Sequence, residues 1–112
     1  MAYDEGLAQR LREALQSERG ISEKKMFGGL AFMSYGYMFI GIAGDALMAR
    51  IGLEYYEKAL SRRHVRVMDF TGKPMKGYVF VDPSGYARDS DLSDWIERCH
   101  RFVRSLPPRK PQ

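Results

Sequence analysis

The sequence predicts an α+β fold, a two-layer sandwich in which helices cover one face of a mostly antiparallel, five-stranded sheet. Apolar residues alternate in short segments between residues 24 and 51, and again between 65 and 81, which is typical of strands. Three other segments carry apolar residues at spacings of three and four, which indicates helices with one buried stripe each. Turns rich in glycine separate the strands. The predicted order is α-β-β-β-α-β-β-α.

Length and composition restrict the class of protein. The 112 residues match one domain, expected over residues 1–106, and a basic, Pro-containing tail over 107–112 is expected to be disordered. Because the sequence has no apolar segment of about 20 residues and no secretory signal, we expect no membrane association. The single cysteine, Cys99, excludes an internal disulfide, and we therefore expect a cytoplasmic protein.

The first predicted element is a helix over residues 3–18. Leu7, Leu11 and Leu15 recur every four residues and form its apolar stripe. Asp4 precedes them and is suited to cap the first turn, because its carboxylate can accept a backbone hydrogen bond there. The stripe requires a partner, and the adjacent sheet is expected to provide it.

Three strands are predicted between residues 24 and 51, with turns at residues 34–36 and 44–45 whose glycines fit tight hairpins. Residues 20–22 are expected to be a connector. Gly28 and Gly29 lie inside the first of these predicted strands, where glycine is unfavourable. A bulge or a close approach of backbone would explain the pair. The alternative is a ligand or a partner that lies against these glycines.

The second half is predicted to hold a short helix, two weaker strands and a long helix. The short helix covers residues 53–60, and its apolar side carries Leu53, Tyr56, Ala59 and Leu60. The strands cover residues 65–68 and 78–81. The last helix has the clearest pattern, because its apolar stripe is continuous and its acidic start and basic end both match the helix dipole.

The sequence predicts neither catalytic residues nor a metal or cofactor site. Cys99 lies on the apolar stripe of the last helix and is expected to be buried. His100 is expected on the surface near the helix end, and His64 in a solvated loop. Ser34 lacks the motif of an activated nucleophile. We therefore expect a protein that is not an enzyme.

Basic residues concentrate in the second half of the chain. The whole chain has a net charge of +4. They lie in and after a loop that follows the short helix. Solvated surface is one explanation, and contact with phosphates is the other. The candidate phosphate contacts are Arg62, Arg63, Arg66, Lys73 and Lys76.

Two segments resemble a known family. The KMFGG segment at residues 25–29 and the GKPMKGY segment at residues 72–78 are similar, in this order, to the N-terminal domain of TfoX/Sxy proteins. The resemblance extends over about residues 7–107, including the helix around Trp95 and the pair Leu106-Pro107. It implies an αβ sandwich with an antiparallel sheet. It also implies regulation of competence genes, because named members act as transcription co-activators with a cyclic-AMP receptor protein.

Three functional hypotheses follow. The first is a non-enzymatic regulatory or protein-interaction module that acts without the second, helical domain of named members. It would bind a protein partner or a second copy through an edge strand or through a sheet face rich in Met and aromatic residues. The second is direct nucleic-acid binding by the basic loop, and nucleic acid is also possible through a partner. The third is a small-molecule or enzymatic site near Gly28-Gly29. The candidate interaction motif is Lys25, Met26, Phe27, Gly28 and Gly29.

Overall fold

The computed structural model describes residues 3–26, 28–69 and 72–108, which form three α-helices and one six-stranded sheet. The elements in chain order are α1 (Glu5–Leu15), β1 (Ile21–Met26), β2 (Gly29–Ser34), β3 (Tyr37–Ala43), β4 (Ala46–Arg50), α2 (Leu53–Leu60), β5 (Val65–Asp69), β6 (Pro74–Val81), a 3₁₀ turn (Pro83–Gly85) and α3 (Asp89–Arg104).

The sheet has the strand order β1-β2-β3-β4-β6-β5, and every neighbouring pair is antiparallel. The α+β class and the antiparallel sheet are therefore confirmed, whereas the number of five strands is wrong. The first predicted strand is two strands, β1 and β2, and β1 begins inside the expected connector. The chain reverses next to Gly28, whose φ of +71° suits glycine, and Met26 pairs with Gly29. The observed order is thus α-β-β-β-β-α-β-β-α.

Gly29 marks a close approach between two backbones. A Cβ atom at this position would overlap the carbonyl oxygen of Ile42 and lie 3.1 Å from its carbonyl carbon. The neighbour that requires glycine here is thus the chain's own strand β3. A bulge does occur, but further along, where the register shifts between Phe32 and Met33.

One face of the sheet packs against the helices and forms the main core. The leucine stripe of α1 is buried as predicted, and the Asp4 carboxylate accepts a hydrogen bond from the Leu7 amide at 3.0 Å. α3 lies over β3 and β4, and α2 lies over β5 and β6. The only tryptophan, Trp95, is buried in this core.

Polar contacts fix α1 against its neighbours. Arg12 makes two hydrogen bonds, at 2.8 and 2.9 Å, to the Glu23 carboxylate on β1, and this guanidinium lowers the pKa of Glu23. Arg10 donates to the backbone carbonyl of Tyr86 at 3.0 Å and to the Asp89 carboxylate at 3.1 Å. The first helix is therefore joined both to the sheet edge and to the start of α3.

The opposite face of the sheet forms a second, smaller apolar cluster. Met48, Met68 and Phe80 are buried there, and among the described residues the partly buried apolar side chains that pack against them all lie on strands: Met38, Ala43, Met75 and Tyr78. Methionine fills such irregular space well because its side chain is unbranched and flexible. The expected surface of Met and aromatic residues is thus largely closed by these side chains themselves.

The last described residues return to the sheet. The hydroxyl group of Tyr37, the first residue of β3, donates a hydrogen bond to the carbonyl oxygen of Pro107. Residues 109–112 of the predicted tail lie outside the described residues. Within the described ranges, no helix has both the length and the apolar character needed to cross a membrane.

Candidate functional site

A surface groove of about 560 Å³ lies between the start of α2 and the second half of α3. We call it the α2–α3 groove. Ile51, Leu53 and Tyr55 line it on one side, and Arg98 and Phe102 are on the other. Leu53 is 69% exposed, although the sequence pattern placed it on the apolar side of α2. That prediction is wrong for Leu53, which is the first residue of the helix, whereas Tyr56 and Ala59 are buried as expected.

Gly52 brings the two walls of the groove together. Its φ of 86° and ψ of 166° lie in a region that is essentially restricted to glycine. The amides of Ile51 and Gly52 donate to the Gly77 carbonyl at 2.9 and 3.1 Å, which holds the turn in place. A Cβ atom on Gly52 would lie 2.5 Å from the Phe102 ring. The ring can therefore lie over this turn only because residue 52 has no side chain.

Two arginines on α3 form the basic rim of the groove. The Arg98 guanidinium lies 4.1 Å from the centre of the Tyr55 ring and pairs with the Asp94 carboxylate at 3.1 Å. Arg101 pairs with Glu97 at 2.7 Å, and both of these side chains are more than two-thirds exposed. Exposed pairs of this kind are weak, so Arg101 is free to exchange its partner.

Arg50 adds a third cation next to the groove. Its guanidinium lies 5.4 Å from the centres of the Phe102 and Tyr78 rings and 5.8 Å from that of Tyr37. It donates to the Met38 carbonyl at 3.2 Å. Within residues 3–26, 28–69 and 72–108, no carboxylate pairs with Arg50. Its charge is stabilised by ring faces and one carbonyl.

Comparison with protein families gives one match, to the TfoX N-terminal domain, over residues 13–103. The chain belongs to the TfoX N-terminal domain family. The resemblance of the two glycine-containing segments is thereby confirmed, and the match includes most of the α2–α3 groove. No curated protein and no solved structure matches the chain.

Two of the predicted phosphate contacts of this TfoX N-terminal domain are paired with carboxylates of the fold. Arg62 pairs with Asp94 at 3.4 Å and lies 4.1 Å from the centre of the Trp95 ring. Arg66 pairs with Asp82 at 3.0 Å and lies over the Phe80 ring. Both guanidiniums are therefore already engaged within the fold.

The other three predicted phosphate contacts, Arg63, Lys73 and Lys76, are exposed. Arg63 precedes β5, whereas Lys73 and Lys76 follow it in the next hairpin. The length of β5, about 14 Å at 3.4 Å per residue, separates the two ends of that strand. Direct binding of nucleic acid stays a prediction, which would have to rest on these exposed residues.

The candidate interaction motif of the TfoX N-terminal domain lies at one edge of the sheet. Lys25 is exposed and Met26 is half-buried at the end of the edge strand β1. Phe27 lies outside the described residues. Gly28 and Gly29 serve the turn and the close strand approach described above, and neither lines the α2–α3 groove. The proposed interaction role of this motif stays a prediction.

A buried polar cluster joins three distant parts of the TfoX N-terminal domain. The Ser34 hydroxyl lies 3.2 Å from Nε2 of His100, and Nδ1 of His100 lies 3.7 Å from the Glu18 carboxylate. The His100 ring stacks on Phe39 with 5.0 Å between centres. Burial lowers the pKa of His100, as does nearby Arg104, whereas Glu18 raises it.

His100 is 6% exposed, so the expectation of a surface histidine is wrong. His100 directly follows Cys99 and therefore lies outside the predicted apolar stripe of α3. The segment after α1 and the end of β2 nevertheless cover that side of the helix as well. Sequence spacing alone carries no information about this second cover.

The order of serine, histidine and carboxylate in this cluster is that of an activated nucleophile. Ser34 is only 3% exposed, however, and the neighbouring Tyr35 amide donates to the Gly20 carbonyl at 2.9 Å. An oxyanion would need a free donor at this position. The cluster connects β2, α3 and the segment after α1 through side-chain contacts.

Cys99 is completely buried, as predicted, and burial raises the pKa of its thiol. In the part of the chain that the structure describes, no three or more His, Cys, Asp or Glu side chains are grouped to hold a metal ion.

Proposed function

We propose that this TfoX N-terminal domain is a non-enzymatic regulatory module that acts by binding a protein partner. The observation that carries the proposal is the α2–α3 groove, in which Leu53 stands exposed beside Phe102. Burial of a leucine side chain contributes about 1.5–3 kcal/mol, so this position offers binding energy that folding leaves unused. Aromatic and arginine side chains, as at Tyr55 and Arg98, are the residue types that most often dominate protein interfaces.

Family membership supports a regulatory role for the module. The resemblance to TfoX favours transcription as the regulated process and the cytoplasm as the location. The low exposure of the reactive groups also supports a function without catalysis, because Cys99 is enclosed in the core and Ser34 is only 3% exposed. The partner is either a different protein or, as the alternative, a second copy of this chain.

The proposal is tested by quantitative capture of proteins from the native organism with the tagged full chain. Leu53→Ser is the test variant, and Val67→Ser is the matched control because Val67 is 41% exposed on the edge strand β5. We expect a partner that wild type and the control retain and that Leu53→Ser loses. Sedimentation of the purified chain at rising concentration tests the second copy. A chain that stays monomeric and retains no protein above an unrelated tagged domain would overturn the proposal.

A further inference from the structure

We infer that the α2–α3 groove binds an acidic amphipathic segment of the partner, with an apolar side chain against Leu53 and Phe102 and carboxylates facing the arginines. This inference rests on the proposed function, because it identifies the class of partner and the surface that receives it.

The balance of charge beside the groove favours an acidic occupant. Asp94 is shared, since Arg98 pairs with it at 3.1 Å and Arg62 at 3.4 Å. One carboxylate therefore faces two guanidiniums, and Arg50 adds a third that has no carboxylate partner among the described residues. Complementary charge of this kind directs the choice and the rate of association of a partner.

The rim has one more cation that a partner can use. Arg101 lines the groove and is 69% exposed, and its present partner Glu97 is equally exposed. A carboxylate of a bound segment would compete with Glu97 at little cost because exposed ion pairs contribute little free energy. Glu54, on the α2 wall, is the one acidic residue in the lining and would repel a carboxylate there. The most favourable position for carboxylates of a bound segment is therefore the α3 wall.

The apolar floor favours a peptide over a polyphosphate. Leu53 and the half-buried Phe102 present hydrocarbon surface, which an apolar side chain matches and a phosphate does not. The Arg98 guanidinium occupies one face of the half-buried Tyr55 ring, which leaves at most the other face for a nucleic-acid base. One wall is the outer surface of α3, and the other continues from the Gly52 turn onto the start of α2, so a segment can lie along them.

The test uses a synthetic, end-blocked helical peptide with leucine at every third or fourth position and glutamate elsewhere. A matched peptide carries lysine in place of every glutamate. Each is titrated into the full chain labelled with ¹⁵N, and amide shifts are followed by NMR. We expect the glutamate peptide to bind at least about tenfold more tightly than the lysine peptide, with the largest shifts at Leu53, Arg101 and Phe102. Equal binding of both peptides, or shifts centred elsewhere, would overturn the inference.

Two charge reversals separate a specific site from general attraction. Arg101→Glu and Arg104→Glu change the net charge equally and lie on the same helix, but Arg104 does not line the groove. We expect about a tenfold loss of affinity for Arg101→Glu and little change for Arg104→Glu. Equal losses would refute a site in this groove. If the chain captures a partner but binds neither peptide, this inference is rejected. The proposed function would then still stand.

Discussion

Replacing Gly29 with alanine is expected to cost at least twice as much stability as the same change at Gly28. At Gly29 the new methyl group would overlap the Ile42 carbonyl oxygen and lie 3.3 Å from the Cα atom of Ala43. Both neighbours are backbone atoms, so strand β3 itself would have to move away from β2. Overpacking that shifts the backbone typically costs about 1–3 kcal/mol and occasionally more, and a direct overlap with a carbonyl oxygen places Gly29→Ala at or above the upper end of that range.

Gly28 provides the matched control because its constraint is conformational. Its φ is +71°, and a Cβ atom there would meet nothing within 4 Å. Alanine in the left-handed region costs about 1–2 kcal/mol. Comparison of the two substitutions therefore distinguishes the cost of a steric overlap, at Gly29, from the cost of a positive φ, at Gly28.

The assay is unfolding in urea, followed by the fluorescence of Trp95. For a domain of this size the free energy of unfolding falls by about 1–2 kcal/mol per molar urea, so 1 kcal/mol moves the midpoint by about 0.5–1 M. We expect a clear reduction for Gly28→Ala and a much larger one, or failure to fold, for Gly29→Ala. Equal midpoints, or a larger loss at Gly28, would show that β2 and β3 do not approach each other at Gly29.

The remaining predictions concern three buried or half-buried groups. The free energy of unfolding should fall as the pH decreases from 7 to 5, because the unfolded chain binds a proton at the ordinary histidine pKa near 6.5 while the folded state, with the lowered pKa of His100, resists it. Urea titrations at each pH should show a shallower dependence for His100→Gln, and an unchanged slope would contradict the buried position. Cys99 should react with a thiol reagent only as fast as the protein unfolds, and rapid reaction of the native protein would show that the core is open there. Arg62→Ala should change the emission of Trp95 and lower stability by about 0.5–1 kcal/mol, whereas Arg66→Ala should leave the emission unchanged.

The helices were predictable from sequence because their apolar stripes are long and regular. α2 begins and ends where the pattern placed it, and the leucine stripe of α1 is buried. The edge strand β1 was not predicted as a separate strand because it carries no such pattern. Four of its six residues, at positions 22–25, are exposed. Charged residues on both sides of an edge strand hide the alternation that identifies interior strands.

The candidate groove was beyond sequence reasoning for a different reason. Leu53 and Phe102 are 49 positions apart in the sequence, and only the packing of α3 across the end of β4 brings them together. The single local indication was Gly52, which lies between a strand and a helix. Its need for a Gly-only conformation and for space beside Phe102 becomes visible only when both elements are in place.

The central strand β3 also determines how the domain presents its two ends. Tyr3 bridges to Gly44, just past one end of β3, while Pro107 is bonded to Tyr37 at the other end. The two attachment points are therefore on the order of 20 Å apart along the strand. The C-terminal point follows α3, which carries one wall of the α2–α3 groove. A peptide tethered there by a short flexible linker would reach the groove at a high effective concentration, whereas an N-terminal tether would need a longer linker for the same gain.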